Sequence, residues 1–159
     1  MGDLARGNGD PSLCLFGEDV TPNHHAIARE FVLLDNTYCE ADGSADGHNW
    51  GMAAYSTDYV TKPFGTSPIY DYEGGNPLAT PSGGYLWDAC ARAGVSYRSY
   101  GEFVFNPDDP RDTVVAGIAG LVGHVAPRYR GYDTEYSDLD RYRAWLEEFD
   151  RYDLDGGLP

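Results

Sequence analysis

The sequence predicts an α/β fold, on three observations. An apolar run, Phe31-Val32-Leu33-Leu34, reads as a buried strand that passes through Asp35-Asn36 into a glycine-flexed turn and then a helix. A helix over residues 84–93, stopped by Gly94, is followed by Val95-Ser96-Tyr97-Arg98-Ser99-Tyr100 with strand alternation, which makes an αβ unit. After Ser137, the side chains of Tyr142, Trp145, Leu146, Phe149 and Tyr152 recur at helical spacing and form one apolar face.

Residues 1–20 are rich in Gly, Asp and Asn and lack a period, so they read as a loop. Thr21-Pro22 starts a helix, threonine as N-cap and proline at the first helical position, with Ile27, Phe31 and Leu34 at helical spacing. That helix ends near residues 29–32, and the chain continues as the strand toward Tyr38 and Cys39. Beyond the turn, residues 50–60 read as a second helix. Residues 62–84 hold too much proline and glycine for a regular element, and they include the pair Tyr70 and Tyr72; a connection of that length is usually functional or disordered. Residues 106–112 form a polar turn with Pro107 and Pro110, and 113–125 is a glycine-punctuated apolar stretch whose conformation the pattern leaves open, so 106–136 counts as irregular. Ser137 caps the last helix, Asp138 and Asp140 sit favourably near its positive end, and Gly156-Gly157 stops it.

The length of 159 residues fits one domain, and 42% apolar with 14% aromatic residues is enough for a packed core. A net charge of -15 repels phosphate backbones, which argues against nucleic acid as a partner. No run approaches the roughly 18 apolar residues of a membrane span, and the first residues contain no apolar signal core, so the sequence assigns no compartment. Cys14, Cys39 and Cys90 are widely spaced and odd in number, and suggest neither a disulfide framework nor a paired-cysteine zinc site.

The chemistry concentrates in Ser44-Ala45-Asp46-Gly47-His48-Asn49-Trp50, where a hydroxyl, a carboxylate, an imidazole and an amide share one turn. That grouping suits a nucleophile beside a bound anion, although a turn serine is also common on structural grounds alone. A serine nucleophile needs a base or a metal, and no lysine or second histidine lies close by in the sequence, so its activator comes from elsewhere. Residues 42–47 imitate the first half of a calcium loop, but the twelfth position, where a bidentate glutamate belongs, is Ala53. His24 and His25 are neighbours on a helix, point about 100° apart and cannot grip one ion together; they read as solvated. His124 reads as a hydrogen-bonded structural residue.

Several stretches together resemble the bacterial phosphoesterase family, which includes phospholipase C-like and acid phosphatase enzymes of the alkaline phosphatase superfamily. They are residues 21–31 (Thr-Pro-Asn-His-His-Ala-Ile-Ala-Arg-Glu-Phe), Leu34-Asp35-Asn36-Thr37-Tyr38, the Ser44–Trp50 segment, Gly84-Tyr85-Leu86-Trp87-Asp88, residues 94–102 and residues 144–149. The resemblance implies a three-layer sandwich with a mostly parallel central sheet, of which this chain is the central segment, truncated at both ends. It implies Ser44 as the nucleophile that attacks phosphorus, held as an alkoxide by a divalent metal ion whose other ligands lie outside the chain. It also implies His48 and Asn49 as phosphate-side donors and Asp46 as a turn former or supporting residue. Tyr70 and Tyr72 become candidates for the substrate rim. The expected substrate is a small-molecule phosphate ester or a phospholipid headgroup, and the segment is expected to be inactive alone. The rival from another class is a non-catalytic acidic binding module or a gene remnant, in which the Ser44 turn is structural.

Overall fold

The computed structural model describes residues 2–4, 7–39, 43–62 and 76–158. The chain divides into two compact units, Met1–Cys39 and Glu40–Pro159.

In the first unit, Asp10 caps a 3-10 turn at Pro11–Leu13 by accepting from the Ser12 amide at 2.9 Å. Helix α1 (Pro22–Glu30) starts where the Thr21-Pro22 signal places it. Thr21 does not cap it through its side chain; its hydroxyl instead donates to the Gly17 carbonyl at 3.0 Å. His25 is the buried side chain of this helix, not a solvated one: Nδ1 lies 2.9 Å from the Thr21 carbonyl and Nε2 2.9 Å from an Asp3 carboxylate oxygen. Two acceptors facing two ring nitrogens favour the doubly protonated ring. The Thr21 carbonyl first and the Asp3 carboxylate second raise the pKa of His25 above its ordinary value. The strand expected from Phe31 does not form. Phe31, Val32 and Leu34 are about three-quarters exposed, and none of them lies in a strand. An apolar run becomes a strand only where another segment pairs with its backbone, and none of the described residues does so here.

The second unit opens with α2 (Ser44–Ala53), whose N-cap is Gly43 in extended conformation. It ends at Ala54, in the left-handed region at φ 62°, and Thr57 then caps a separate one-turn helix, α3 (Asp58–Thr61). The helix expected over residues 50–60 is therefore two helices. After a 3-10 turn at Pro77–Ala79, α4 (Leu86–Ala93) begins with reciprocal bonds between Tyr85 and Asp88 and ends on Gly94 at φ 66°. Two short strands, β1 (Val104–Phe105) and β2 (Val115–Ala116), pair antiparallel, and a 3-10 turn at Ala119–Leu121 follows. The last element is α5 (Asp138–Asp155), capped by Ser137 and stopped by Gly156, as the sequence predicts.

This architecture corrects the expected fold. The regular structure of the described residues is mostly helical, with one two-stranded antiparallel sheet, and no mostly parallel central sheet or three-layer sandwich is present among them. Residues 95–100 supply only a single parallel bridge, Ser99 to Val125, closed by Ser99 N–H to the His124 carbonyl and Ala126 N–H to the Ser99 carbonyl, both at 2.8 Å. Gly94, Gly101, Gly123 and Pro127 interrupt the chain on either side of that bridge, which prevents the ladder from lengthening.

The core of this unit is aromatic. Tyr85 stacks on Trp87 with centroids 4.6 Å apart, Phe103 meets both rings at 5.0 and 5.1 Å, and Leu121 completes the cluster. Each buried large side chain contributes roughly 1.5–3 kcal/mol of transfer free energy. A second cluster of Ala45, Val60 and Ala79 seats α2 and α3 on the Pro77–Ala79 turn. Helix α5 is fastened differently from expectation: Tyr142 and Phe149 of its apolar face remain exposed, and the buried side chain is Glu148. Arg98 donates to that carboxylate through Nε at 2.9 Å and a terminal nitrogen at 2.5 Å. Among the described residues no helix is long and apolar enough to cross a membrane.

Candidate functional site

Ser44 is the first residue of α2 and is exposed. It sits at a helix N-terminus rather than at the tip of a tight turn. Serine favours both places for one reason: its short side chain bonds readily to nearby backbone amides. The first-turn N–H groups of a helix point out of its end and carry about half a positive charge, which favours an anion there.

One turn further along, His48 lies on the same side of the helix as Ser44, because residues four apart are neighbours on a helical surface. Both line a cleft of about 1030 Å³, whose other walls come from Gly101–Glu102 and from residues 129–141. His48 Nδ1 is 2.7 Å from Glu102 Oε1. The side chains are 38% and 28% exposed, so the pair stands at the cleft wall and is reached by solvent.

The opposite side of α2 faces inward. Asp46 is 2% exposed and accepts from the Thr61 hydroxyl at 2.8 Å, which ties α2 to α3. Asn49 is fully buried, donating to the Ala45 carbonyl at 2.9 Å while its oxygen accepts from the Tyr85 hydroxyl at 3.1 Å. Neither lines the cleft. Of the residues singled out from the sequence, the cleft therefore brings together Ser44 and His48. Tyr70 and Tyr72 lie outside the described residues.

The cleft's arginines hold the wall together. Arg141 donates to the carbonyls of Arg130, Gly131, Asp133 and Tyr136 and to the Asp138 carboxylate, at 2.8–3.2 Å. Arg130 is 7% exposed, bonds the Pro107 carbonyl and the Asp133 carboxylate, and lies over the Tyr136 ring, as Arg141 does. The backbone amide of Glu135 first, and then Arg130, hold the Asp133 carboxyl below its ordinary value. Tyr100, on the cleft wall, is pushed up to about 12 by burial first and then by the Glu148 carboxylate. It is a neutral phenol near neutral pH and cannot serve as the base there.

A divalent ion on the Ser44 oxygen would need several further ligands. Among the described residues no group of three or more His, Cys, Asp or Glu side chains is placed to hold one, so those ligands would have to come from elsewhere. The chemistry open to the cleft's own groups is that of a hydroxyl, an imidazole and a carboxylate.

Glu102 and the arginine-held wall were not found from the sequence. Glu102 is 54 residues from His48, and no local pattern marks the pairing. No family model matches the chain, and neither a curated protein nor a solved structure matches it, so nothing beyond the short sequence motifs carries the phosphoesterase resemblance.

Proposed function

We propose that this chain belongs to a hydrolase of small-molecule phosphate esters, with Ser44 as the covalent nucleophile and His48 as its proton acceptor. The observation that carries this reading is the placement of an exposed serine hydroxyl at the N-terminus of α2, with an imidazole one turn along on the same cleft wall. The helix end favours the anionic phosphoryl group, and the imidazole one turn along the same helix supplies a base from within the motif, where the sequence pattern looks for the activator elsewhere.

In the first step the Ser44 oxygen bonds to phosphorus and the ester P–O bond breaks. The Ser44 proton passes to the His48 imidazole, and the departing alkoxide takes a proton from water. In the second step water attacks phosphorus and gives its proton to solvent. The Oγ–P bond breaks, and His48 returns its proton to Ser44. Positioned proton transfer of this kind is worth typically about 10²- to 10⁴-fold in rate. A divalent ion remains part of the reading through the family resemblance, with ligands beyond the described residues.

The reading is tested by hydrolysis of p-nitrophenyl phosphate and bis-p-nitrophenyl phosphate by the intact parent enzyme that contains this chain, with and without added magnesium, manganese or zinc. Turnover by the parent and its loss in Ser44→Ala support it. Equal turnover by parent and variant would remove Ser44 as the nucleophile, and no turnover by the parent with any of these metals would reassign the cleft to binding, the role of a non-catalytic module.

A further inference from the structure

We propose that Glu102 is the positioning residue of this site: its carboxylate holds the His48 proton on Nδ1, which leaves Nε2 as the basic nitrogen. The inference builds on the reading of Ser44 as nucleophile, but it can fail separately. The contact is 2.7 Å, between a ring nitrogen and a carboxylate that can only accept, so the proton lies on Nδ1. The same carboxylate stabilises the imidazolium that forms when Ser44 loses its proton.

The backbone around Glu102 fixes where the carboxylate stands. Gly101 and Phe103, on either side of it, both have positive φ, at 83° and 51°. Gly101 is packed so closely that a Cβ there would meet the Arg130 carbonyl and the Tyr129 ring at 3.0 Å. Phe103 is 2% exposed within the aromatic core, an unusual residue for left-handed backbone. The Ser99 hydroxyl also donates to the Glu102 carbonyl at 3.0 Å. A partly exposed ion pair contributes little to stability. What the fixed carboxylate contributes is orientation, as the acidic partner of a catalytic histidine does in triads on unrelated folds.

The test is nitrogen-15 NMR of the histidine rings in the whole chain, at a pH where His48 is neutral, with its signal identified by its loss in His48→Gln. The wild-type ring is expected as the Nδ1–H tautomer, and Glu102→Ala is expected to move it toward the Nε2–H form that free imidazole prefers. A wild-type Nε2–H ring, or no change in a folded Glu102→Ala variant, overturns the proposal; the wild-type spectrum decides alone if that variant does not fold. On p-nitrophenyl phosphate, Glu102→Ala should lower kcat at least about tenfold with KM little changed. Loss of turnover in Ser44→Ala together with a wild-type Nε2–H ring removes Glu102 and leaves the nucleophile. An Nδ1–H ring with full turnover in Ser44→Ala removes the nucleophile and leaves the orientation.

Discussion

The two faces of α2 carry polar side chains of similar chemistry and put them to opposite uses. On the inner face Asp46 and Asn49 are almost completely buried and committed to Thr61, Ala45 and Tyr85. On the outer face Ser44 and His48 stand on a cleft wall, where the Glu102 carboxylate meets the His48 ring at 2.7 Å. The contrast teaches that a dense polar motif is not one site. The 3.6-residue period separates it into a structural half, which positions the helix, and a half left open for chemistry.

Asn49→Ala should break the inner face most severely. It leaves the buried Tyr85 hydroxyl without its acceptor, and a loss of about 2–3 kcal/mol is expected from urea unfolding. A change under about 0.5 kcal/mol, the range of an ordinary surface substitution, would mean that the inner face does not hold the helix. Asp46→Ala comes next, at about 1.5–2 kcal/mol, because the Thr61 hydroxyl then loses a charged acceptor.

The inner face also makes a prediction about pH. Burial, the largest cause, pushes the Tyr85 phenol up to about 12. A raised pKa means that the folded state favours the neutral phenol, so its contribution is complete below the ordinary value of 10.0 and is lost as pH rises from there through about 12. Urea midpoints measured across that window should fall more steeply for the parent chain than for Tyr85→Phe, and parallel curves would remove the effect. The smallest stability change is expected on the outer face, where Ser44→Ala should stay within about 0.5 kcal/mol of the parent. The same variant should abolish turnover, and that pairing of results is what most sharply separates the two faces.

Several helix ends were legible in the sequence because they are set by local chemistry, although the Gly43, Ala54 and Thr57 boundaries of α2 and α3 were not. Thr21-Pro22, Gly94, Ser137 and Gly156 all mark real boundaries, since a cap depends on groups within a turn of itself. The strands were not legible, because pairing depends on distant segments: Phe31 to Leu34 has the composition of a strand and no partner among the described residues, and residues 95–100 gain only the bridge to Val125. The candidate site divides in the same way. Ser44 and His48 belong to a motif that stands out in the sequence, though it reads as a turn and not as the first turns of a helix, whereas Glu102 carries no local mark, because its place comes from a loop shaped by Gly101 and Phe103. The family resemblance makes Asn49 a phosphate-side donor, and the structure places its amide in the interior, bonded to the Ala45 carbonyl and the Tyr85 hydroxyl.

The central claim is that the Ser44 oxygen forms a bond to phosphorus. Acid quench of the intact enzyme that contains this chain, supplied with its divalent ion, during turnover of p-nitrophenyl phosphate, followed by peptide mass spectrometry, tests it most directly. The account predicts one phosphoryl group on the peptide containing Ser44, absent from Ser44→Ala. Turnover with the phosphoryl group on another residue, or with no phosphorylated peptide under conditions that trap known phosphoserine intermediates, would contradict it.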